Sequence, residues 1–388
     1  MTTSVTILGA SGSIGTSAIS FLRLHQEFMT LDRIALRRDW KRAMAICVEF
    51  GCRAVAFEDV EAARSFSAEW DGPTMTILGG PDAATELATF KADVVLAAIS
   101  GSAGLPSVVA AIRAGNRVAL ANKEALVCGG YALLELARER EVPIIPVDSE
   151  HSAMFQALLA GQRHEVSSLV LTASGGPFRQ RTFAAMQAAT KEQALAHPNW
   201  QMGRKNTIDS ATLANKGLEL IEAGYLFGFP EDKIDVVINP SSVLHSAVLY
   251  RDGSMIAQLG TPDMRSAVGY GLTWPDRLVT GVTPLSLSAL GRLEFEEVDQ
   301  KKFKALSLAR HAFREGKDGP MIFNFANEVG VAAFLKDRLR LTEIADLIEM
   351  CLETGTGKFD GSLQDLSAVC EAVHYHCLDV LTRLKTSN

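Results

Sequence analysis

Three carboxylates stand where a hard cation could be held: Asp148 and Glu150 in PIIPVDSEH, and Glu219 in DSATLANKGLELIEA. Asp148 and Glu150 lie two apart, just past an apolar run that ends at Val147. In extended backbone both side chains would point to the same side, so one face would offer two carboxylates. Glu219 belongs to a later segment with helical spacing. Carboxylate and water oxygens are the preferred ligands of Mg²⁺ and Mn²⁺, and the trio reads as a site for one such ion. The ordinary alternative is three solvated acids, because acidic residues are mostly exposed. Groups suited to a phosphate surround Glu219. Ser210 is read near a helix start, and Thr212, Asn215, Lys216 and Glu219 follow at helical spacing, so one face would show phosphate donors and, a turn on, a metal ligand. Lys216 and Glu219 would equally make a surface ion pair. Gly217 in mid-helix costs up to ~1 kcal/mol against Ala, which points to a close approach there.

A second constellation opens the chain. The run VTIL is followed by GASGSIG, with Gly9, Gly12 and Gly15 three apart, and then by the helical stretch TSAISFLRLH. Glycines let a backbone approach a pyrophosphate, while the N–H groups of a helix start and the hydroxyls of Ser11 and Ser13 supply donors. The spacing is GxxGxxG, one residue away from the GxGxxG fingerprint. The next strand, RIAL, ends in Arg37 and Arg38, where NAD enzymes present an acid to the ribose and NADP enzymes a base. Two adjacent arginines favour NADPH, although Asp39 follows and could neutralise one of them. Lys123, in VALANKEAL, stands at another strand end, where open α/β sheets place their ligands, or is an exposed helix-start lysine. Ser174, in TASGGPF, precedes two glycines whose turn could form an anion-binding nest.

Whatever holds these groups must be large. At 388 residues and 47% hydrophobic, the chain exceeds the size at which single cores stop growing, so two or three domains are expected. A net charge of −7 and a pI near 5.7 argue against nucleic-acid or anionic-membrane partners. The six cysteines form no CxxC pair, which fits a reducing cytoplasm, and no apolar run approaches the roughly 18 residues of a spanning helix. Residues 1–150 repeat a β-branched run followed by a helical stretch (SVTIL, RIAL, AVAF, DVVLAAI, RVALA, PIIPV), the rhythm of a parallel α/β sheet. Pro143 and Pro146 weaken the last of these as an interior strand, which puts it at a sheet edge or makes it partly irregular. Strands and helices then alternate less regularly, and the final third reads as helices. The expected fold is therefore α/β: a Rossmann-like NADPH-binding domain over 1–150, an α+β catalytic and connective domain over 151–273, a linker over 274–299 and a helical domain over 300–388.

The strings GASGSIG, LANKEAL, PVDSEH, TASGGPF, HPNWQMGRKNTIDSATLANKGLELIEA, NPSSVLHS and LGTPDMR together resemble the 1-deoxy-D-xylulose 5-phosphate reductoisomerase family over nearly the whole chain. The resemblance implies an enzyme that isomerises its phosphorylated substrate, by a retro-aldol and aldol route, and then reduces it with NADPH, using one divalent metal, Mg²⁺ or Mn²⁺. It makes Asp148, Glu150 and Glu219 the metal ligands. Ser174, His197, Ser210, Asn215 and Lys216 match the substrate-phosphate residues, Lys123 and Ser149 the contacts to the substrate backbone, and Trp200 and Met202 a mobile loop over the ligand. Gly9, Ser11, Gly12, Ser13, Ile14, Arg37, Arg38, Asn122, Glu124 and Gly203 fall at cofactor positions. A homodimer is also implied. The sequence departs from the family after its second strand, where a Gly–Lys/Arg–Asn element is usual and RRDW stands here, and most of all in the tail.

Two other classes compete. A semialdehyde dehydrogenase needs a nucleophilic cysteine, for which Cys128 in LVCGGY is the candidate. A non-catalytic NADP-binding sensor would need no metal, and the three carboxylates speak against it.

Overall fold

The computed structural model describes residues 2–197, 202–357, 362–363 and 365–386. It divides into two compact units. The first comprises Met1–Ala125, Leu133–Ser152 and Asp263–Thr283, and the second Leu126–Ala132, Ala153–Pro262 and Pro284–Asn388.

The first unit is built on seven parallel strands: β1 (Thr3–Leu8), β2 (Met29–Leu36), β3 (Ala54–Phe57), β4 (Thr76–Gly79), β5 (Val94–Ala97), β6 (Arg117–Leu120) and β7 (Ile144–Pro146). Their order is β4-β3-β2-β1-β5-β6-β7. The order reverses between β1 and β5, where Val5 faces Val94 and Leu8 faces Ala97. Such a switch point opens a crevice at the carboxyl ends of the strands, which is where doubly wound sheets bind ligands. β3 and β5 are buried at every position, as strands covered by helices on both faces must be. The core joins Val5, Ile7, Ile34, Val55, Phe57 and Leu96 to helix residues Phe21, Leu22, Ile46 and Phe66. The Rossmann-like sheet is as expected, with β7 at its edge. The seventh strand, β4, is an addition: it is four residues long, half exposed and ends in glycine, too short to register as an alternating pattern.

The second unit carries a mixed five-stranded sheet of β8 (Val166–Ala173), β9 (Ile234–Ile238), β10 (Leu244–Tyr250), β11 (Met255–Leu259) and β12 (Glu296–Glu297), in the order β11-β10-β8-β9-β12. Only β8 and β9 run parallel; the other pairs are antiparallel. The helix Ala214–Phe227 contributes Leu220 and Ala223 to the core under this sheet, with Leu169, Leu171 and Val248. Gly217 lets that helix pack closely on the C-terminal helices, since a Cβ there would lie 2.7 Å from Ala309 Cβ and 3.0 Å from Phe323 Cζ. The close approach foreseen at Gly217 is thus made by protein. The tail is helical over Lys304–Glu315, Gly319–Leu335, Glu343–Thr354 and Leu366–Thr386. Asp318 ties two of these helices, its carboxylate accepting from Thr356 N (3.0 Å) and Gly357 N (2.7 Å). No helix among the described residues is long and apolar enough to cross a membrane.

Candidate active site

In the first unit the glycine loop joins β1 to the helix Ser13–Arg23. Gly9 has φ +94°, and a Cβ on it would lie 2.5 Å from the Ala98 carbonyl oxygen, so only glycine fits. A Cβ on Gly15 would lie 2.5 Å from Gly9 O. Gly12 begins the helix with no side-chain cap, and Ser11, Gly12 and Ser13 are exposed or half-exposed around that start. Uncapped backbone donors beside a loop without side chains suit a pyrophosphate. Ile14 is half-buried on the core.

At the end of β2 the arginines are not equivalent. Arg37 lies 3.5 Å from Glu58 and is 73% exposed, whereas Arg38 makes no ion pair among the described residues. Asp39 neutralises neither; it caps the helix Trp40–Phe50, accepting from Arg42 N at 3.1 Å.

Asn122 is buried and caps the helix Lys123–Glu139, accepting from Ala125 N at 2.9 Å while its amide donates to the carbonyls of Ile99 and Gly101. Glu124 is buried in the first helical turn, where the helix dipole favours a carboxylate. Lys123 is not the exposed lysine that a helix start suggests. It is 6% exposed, and its ammonium lies 2.5 Å from Asp148 Oδ2.

The expectation that Asp148 and Glu150 share one face of an extended segment is corrected. β7 stops at Pro146 and a helix runs over Ser149–Leu158, so Asp148 precedes it and Glu150 sits in its first turn. Two prolines shorten the strand, and Asp-Ser-Glu is a helix-start sequence. The Ser149 hydroxyl donates to Glu150 Oε2.

In the second unit β8 delivers Ser174 to a turn in which Gly175 and Gly176 have φ +84° and +65°. A Cβ on Gly176 would meet the Ser210 carbonyl oxygen at 2.5 Å, so this turn rests directly on Ser210. Ser174 Oγ lies 3.2 Å from His197 Nε2. Burial holds the His197 pKa below its ordinary value, leaving the imidazole neutral near pH 7. Ser174, His197 and Ser210 are therefore brought together.

Ser210 does not lie near a helix start. The helix Arg204–Thr212 ends just after it, Leu213 takes a left-handed conformation (φ 57°), and a second helix begins at Ala214. The Thr212 hydroxyl accepts from Ala214 N across that break, at 3.3 Å, and donates back to Ile208 O at 3.2 Å. Asn215, Lys216 and Glu219 share one face of the second helix, and both the amide and the ammonium donate to the Glu219 carboxylate. Lys216 is 4% and Glu219 1% exposed, so the pair is buried and not the surface one that the spacing allows. Met202 is half-buried and Gly203 exposed at the start of the helix Arg204–Thr212. Trp200 lies outside the described residues.

Two buried acids escaped the sequence reading. Asp209 pairs with Lys205 at 2.9 Å and accepts from Asn327 at 2.8 Å, and Glu222 is 0% exposed one turn past Glu219. Their signal was present in the sequence, at i,i+4 spacing in KNTID and at i,i+3 spacing in ELIE. Cys128, which the dehydrogenase reading needs as a nucleophile, is 1% exposed and accepts from Asn324 at 3.4 Å.

A doubly wound sheet with an uncapped glycine loop and basic residues after β2 defines a dinucleotide-dependent oxidoreductase, and each unit also buries a lysine–carboxylate pair, Lys123 with Asp148 and Lys216 with Glu219. Comparison with known proteins sharpens this. Residues 5–130 match the model of 1-deoxy-D-xylulose 5-phosphate reductoisomerase, residues 144–227 that of its C-terminal domain, and residues 259–375 a DXP reductoisomerase C-terminal domain. The reductoisomerases of Cupriavidus metallidurans and Caulobacter vibrioides are 44% identical over 95% of each chain and 46% identical over 94% of this chain and 92% of that one. A crystal structure of DOX-P reductoisomerase with NADPH, fosmidomycin and magnesium superposes with a TM-score of 0.93 at 38% identity, covering 99% of both chains. The Zymomonas mobilis reductoisomerase in complex with NADPH gives 0.92 at 38% identity over 98% of this chain and 99% of that one. The chain belongs to the 1-deoxy-D-xylulose 5-phosphate reductoisomerase family.

Proposed function

We propose that this chain converts 1-deoxy-D-xylulose 5-phosphate to 2-C-methyl-D-erythritol 4-phosphate, an isomerisation followed by an NADPH-dependent reduction, on the route to isoprenoid precursors. The observation that carries the reading is identity above 40% over nearly the whole length of family members. The glycine loop suits a dinucleotide because Gly9 and Gly15 let the turn pack against Ala98 and onto itself, and the helix it opens has no side-chain cap on its backbone donors. Asp148, Glu150 and Glu219 fit one Mg²⁺ or Mn²⁺, since all three offer hard carboxylate oxygens. When bound, the cation supplies Lewis-acid stabilisation of charge on substrate oxygens, and the nicotinamide supplies hydride.

The chain's own residues then bind and orient. Ser174, His197, Ser210, Asn215 and Lys216 take the substrate phosphate, so that binding energy remote from the reacting carbons fixes their position. Lys123, which pairs with Asp148, and Ser149, bonded to Glu150, contact the carbon backbone. Met202, half-buried just before the helix Arg204–Thr212, contacts the ligand. Ser11, Ser13, Ile14, Asn122, Glu124 and Gly203 serve the dinucleotide. The same proposal includes a homodimer, for which β11 offers a free sheet edge with Met255 and Ile256 exposed, and a cytoplasmic setting, consistent with six cysteines outside any disulfide. The test is NADPH oxidation with deoxyxylulose phosphate, with and without Mn²⁺. Turnover that needs both substrate and cation is expected; turnover that survives a chelator, or none with either ion, refutes the reading.

A further inference from the structure

Resting on the NADPH reading, we infer that the ribose 2′-phosphate is read by Arg42, working with Arg38, and not by the strand-end pair Arg37 and Arg38. In doubly wound sheets the adenosine ribose lies between the glycine loop and the end of the second strand, so a 2′-phosphate reader must reach both. Arg42 does. It stands in the first turn of the helix that follows β2, and its guanidinium donates to Thr16 Oγ1 at 2.5 Å. Thr16 belongs to the first turn of the glycine-loop helix, and its hydroxyl donates to Gly12 O at 2.7 Å. That hydroxyl is thereby used in both directions and holds the guanidinium in place.

The electrostatics favour Arg42 over Arg37. Arg37 is highly exposed and already beside Glu58. Arg42 is half-buried, and no carboxylate pairs with it among the described residues. Asp39, the acid nearest in sequence, is used at the helix N-terminus, where it accepts from the Arg42 backbone N–H. A guanidinium anchored through one N–H on a neutral hydroxyl keeps its charge and the rest of its donor fork for an anion, and that fork matches phosphate oxygens bidentately. Arg38, without an ion pair among the described residues, supplies the second cation. The usual strand-end reading overlooks Arg42 because it lies six residues past the strand, beyond a capping turn.

The probe is adenosine 2′,5′-bisphosphate against AMP, bound to the full chain and measured by calorimetry, so the readout does not depend on turnover. Arg42→Ala is expected to weaken the bisphosphate by roughly 10- to 100-fold, the size of a lost charged hydrogen bond, with AMP nearly unaffected. Arg42→Lys should recover part of the loss. Lys41→Ala, which removes a neighbouring charge stacked on Trp40, should keep the discrimination. In turnover, the preference for NADPH over NADH should fall in parallel for Arg42→Ala. Arg42→Ala that binds the bisphosphate as the unmodified chain does, or that loses the same factor for AMP, overturns the inference. So does Lys41→Ala matching Arg42→Ala. An unmodified chain that fails to distinguish bisphosphate from AMP overturns it by a different route, since that is a failure of the NADPH reading itself.

Discussion

Replacing Glu219 by Gln separates two roles that the carboxylate is asked to play. It is 1% exposed and accepts from the Lys216 ammonium and the Asn215 amide on its own helix. Two charges buried this deeply recover much of their desolvation through each other, and removing one costs about 3–5 kcal/mol. Gln keeps the shape and one acceptor oxygen, so the loss should fall near the lower end of that range. Metal ligation adds an independent signature. A cation that binds only the folded chain stabilises it by RT ln(1 + [M]/Kd), about 2.7 kcal/mol at a hundredfold excess over Kd, and a neutral amide in place of the carboxylate should remove most of that increment. The assay is denaturant unfolding with Mn²⁺ or with chelator, alongside calorimetric Mn²⁺ binding. Adding Lys216→Met to Glu219→Gln removes the stranded ammonium, so the double variant should regain stability without regaining Mn²⁺ affinity. Turnover in Glu219→Gln should drop by at least ~10²-fold, the scale of losing one transition-state-stabilising group. Full Mn²⁺ affinity in Glu219→Gln would refute the ligand role and leave the carboxylate as no more than a counter-ion for Lys216.

Three further outcomes are expected. Gly9→Ala, which forces a Cβ to 2.5 Å from Ala98 O at a positive φ, should cost about 1–3 kcal/mol of stability and most of the dinucleotide affinity; unchanged NADPH binding would exclude the loop as the pyrophosphate site. His197 has its pKa lowered by burial, so its contribution to stability is present above about pH 6.5 and is lost as pH falls through the folded value. A dianionic phosphate beside it favours the imidazolium, so calorimetry in buffers of different ionisation heat should show proton uptake on binding deoxyxylulose phosphate near pH 7, absent in His197→Gln; equal uptake in both would remove His197 from the phosphate site. Cys128→Ala should retain turnover because the thiol is buried against Asn324, and loss of chemistry with an unchanged melting curve would revive the thiol mechanism.

How much of this was legible follows from where the signals are local. The glycine loop was readable because β1, the turn and the helix are consecutive, and the edge position of β7 because Pro143 and Pro146 cannot serve an interior strand. Glu219 was placed correctly on a helix with Asn215 and Lys216. The break at Leu213 was not readable, since neither Gly nor Pro marks it. A leucine 2% exposed is held at positive φ by tertiary packing, with Thr212 bridging the gap. The same non-local packing hid the burial of Lys123, whose partner Asp148 is far away in sequence. Arg42 was passed over for a geometric reason: its anchor, Thr16, belongs to a different β–helix unit.

Each of the two units buries a lysine against a carboxylate, Lys123 with Asp148 in one and Lys216 with Glu219 in the other. Stability alone does not account for such pairs. Apolar residues of similar volume hold a fold as well, and often better by about 1–4 kcal/mol, because a buried pair must first repay its desolvation. What a pair provides that an apolar contact cannot is exchange. A carboxylate that accepts from a lysine can turn its oxygens to a cation, and the released ammonium then has a phosphate or a substrate oxygen to take its place. Without ligand the charges satisfy each other and the chain folds. For the proposed substrate and cation the same charges are already desolvated, so little of the binding energy is spent on bringing them in from water.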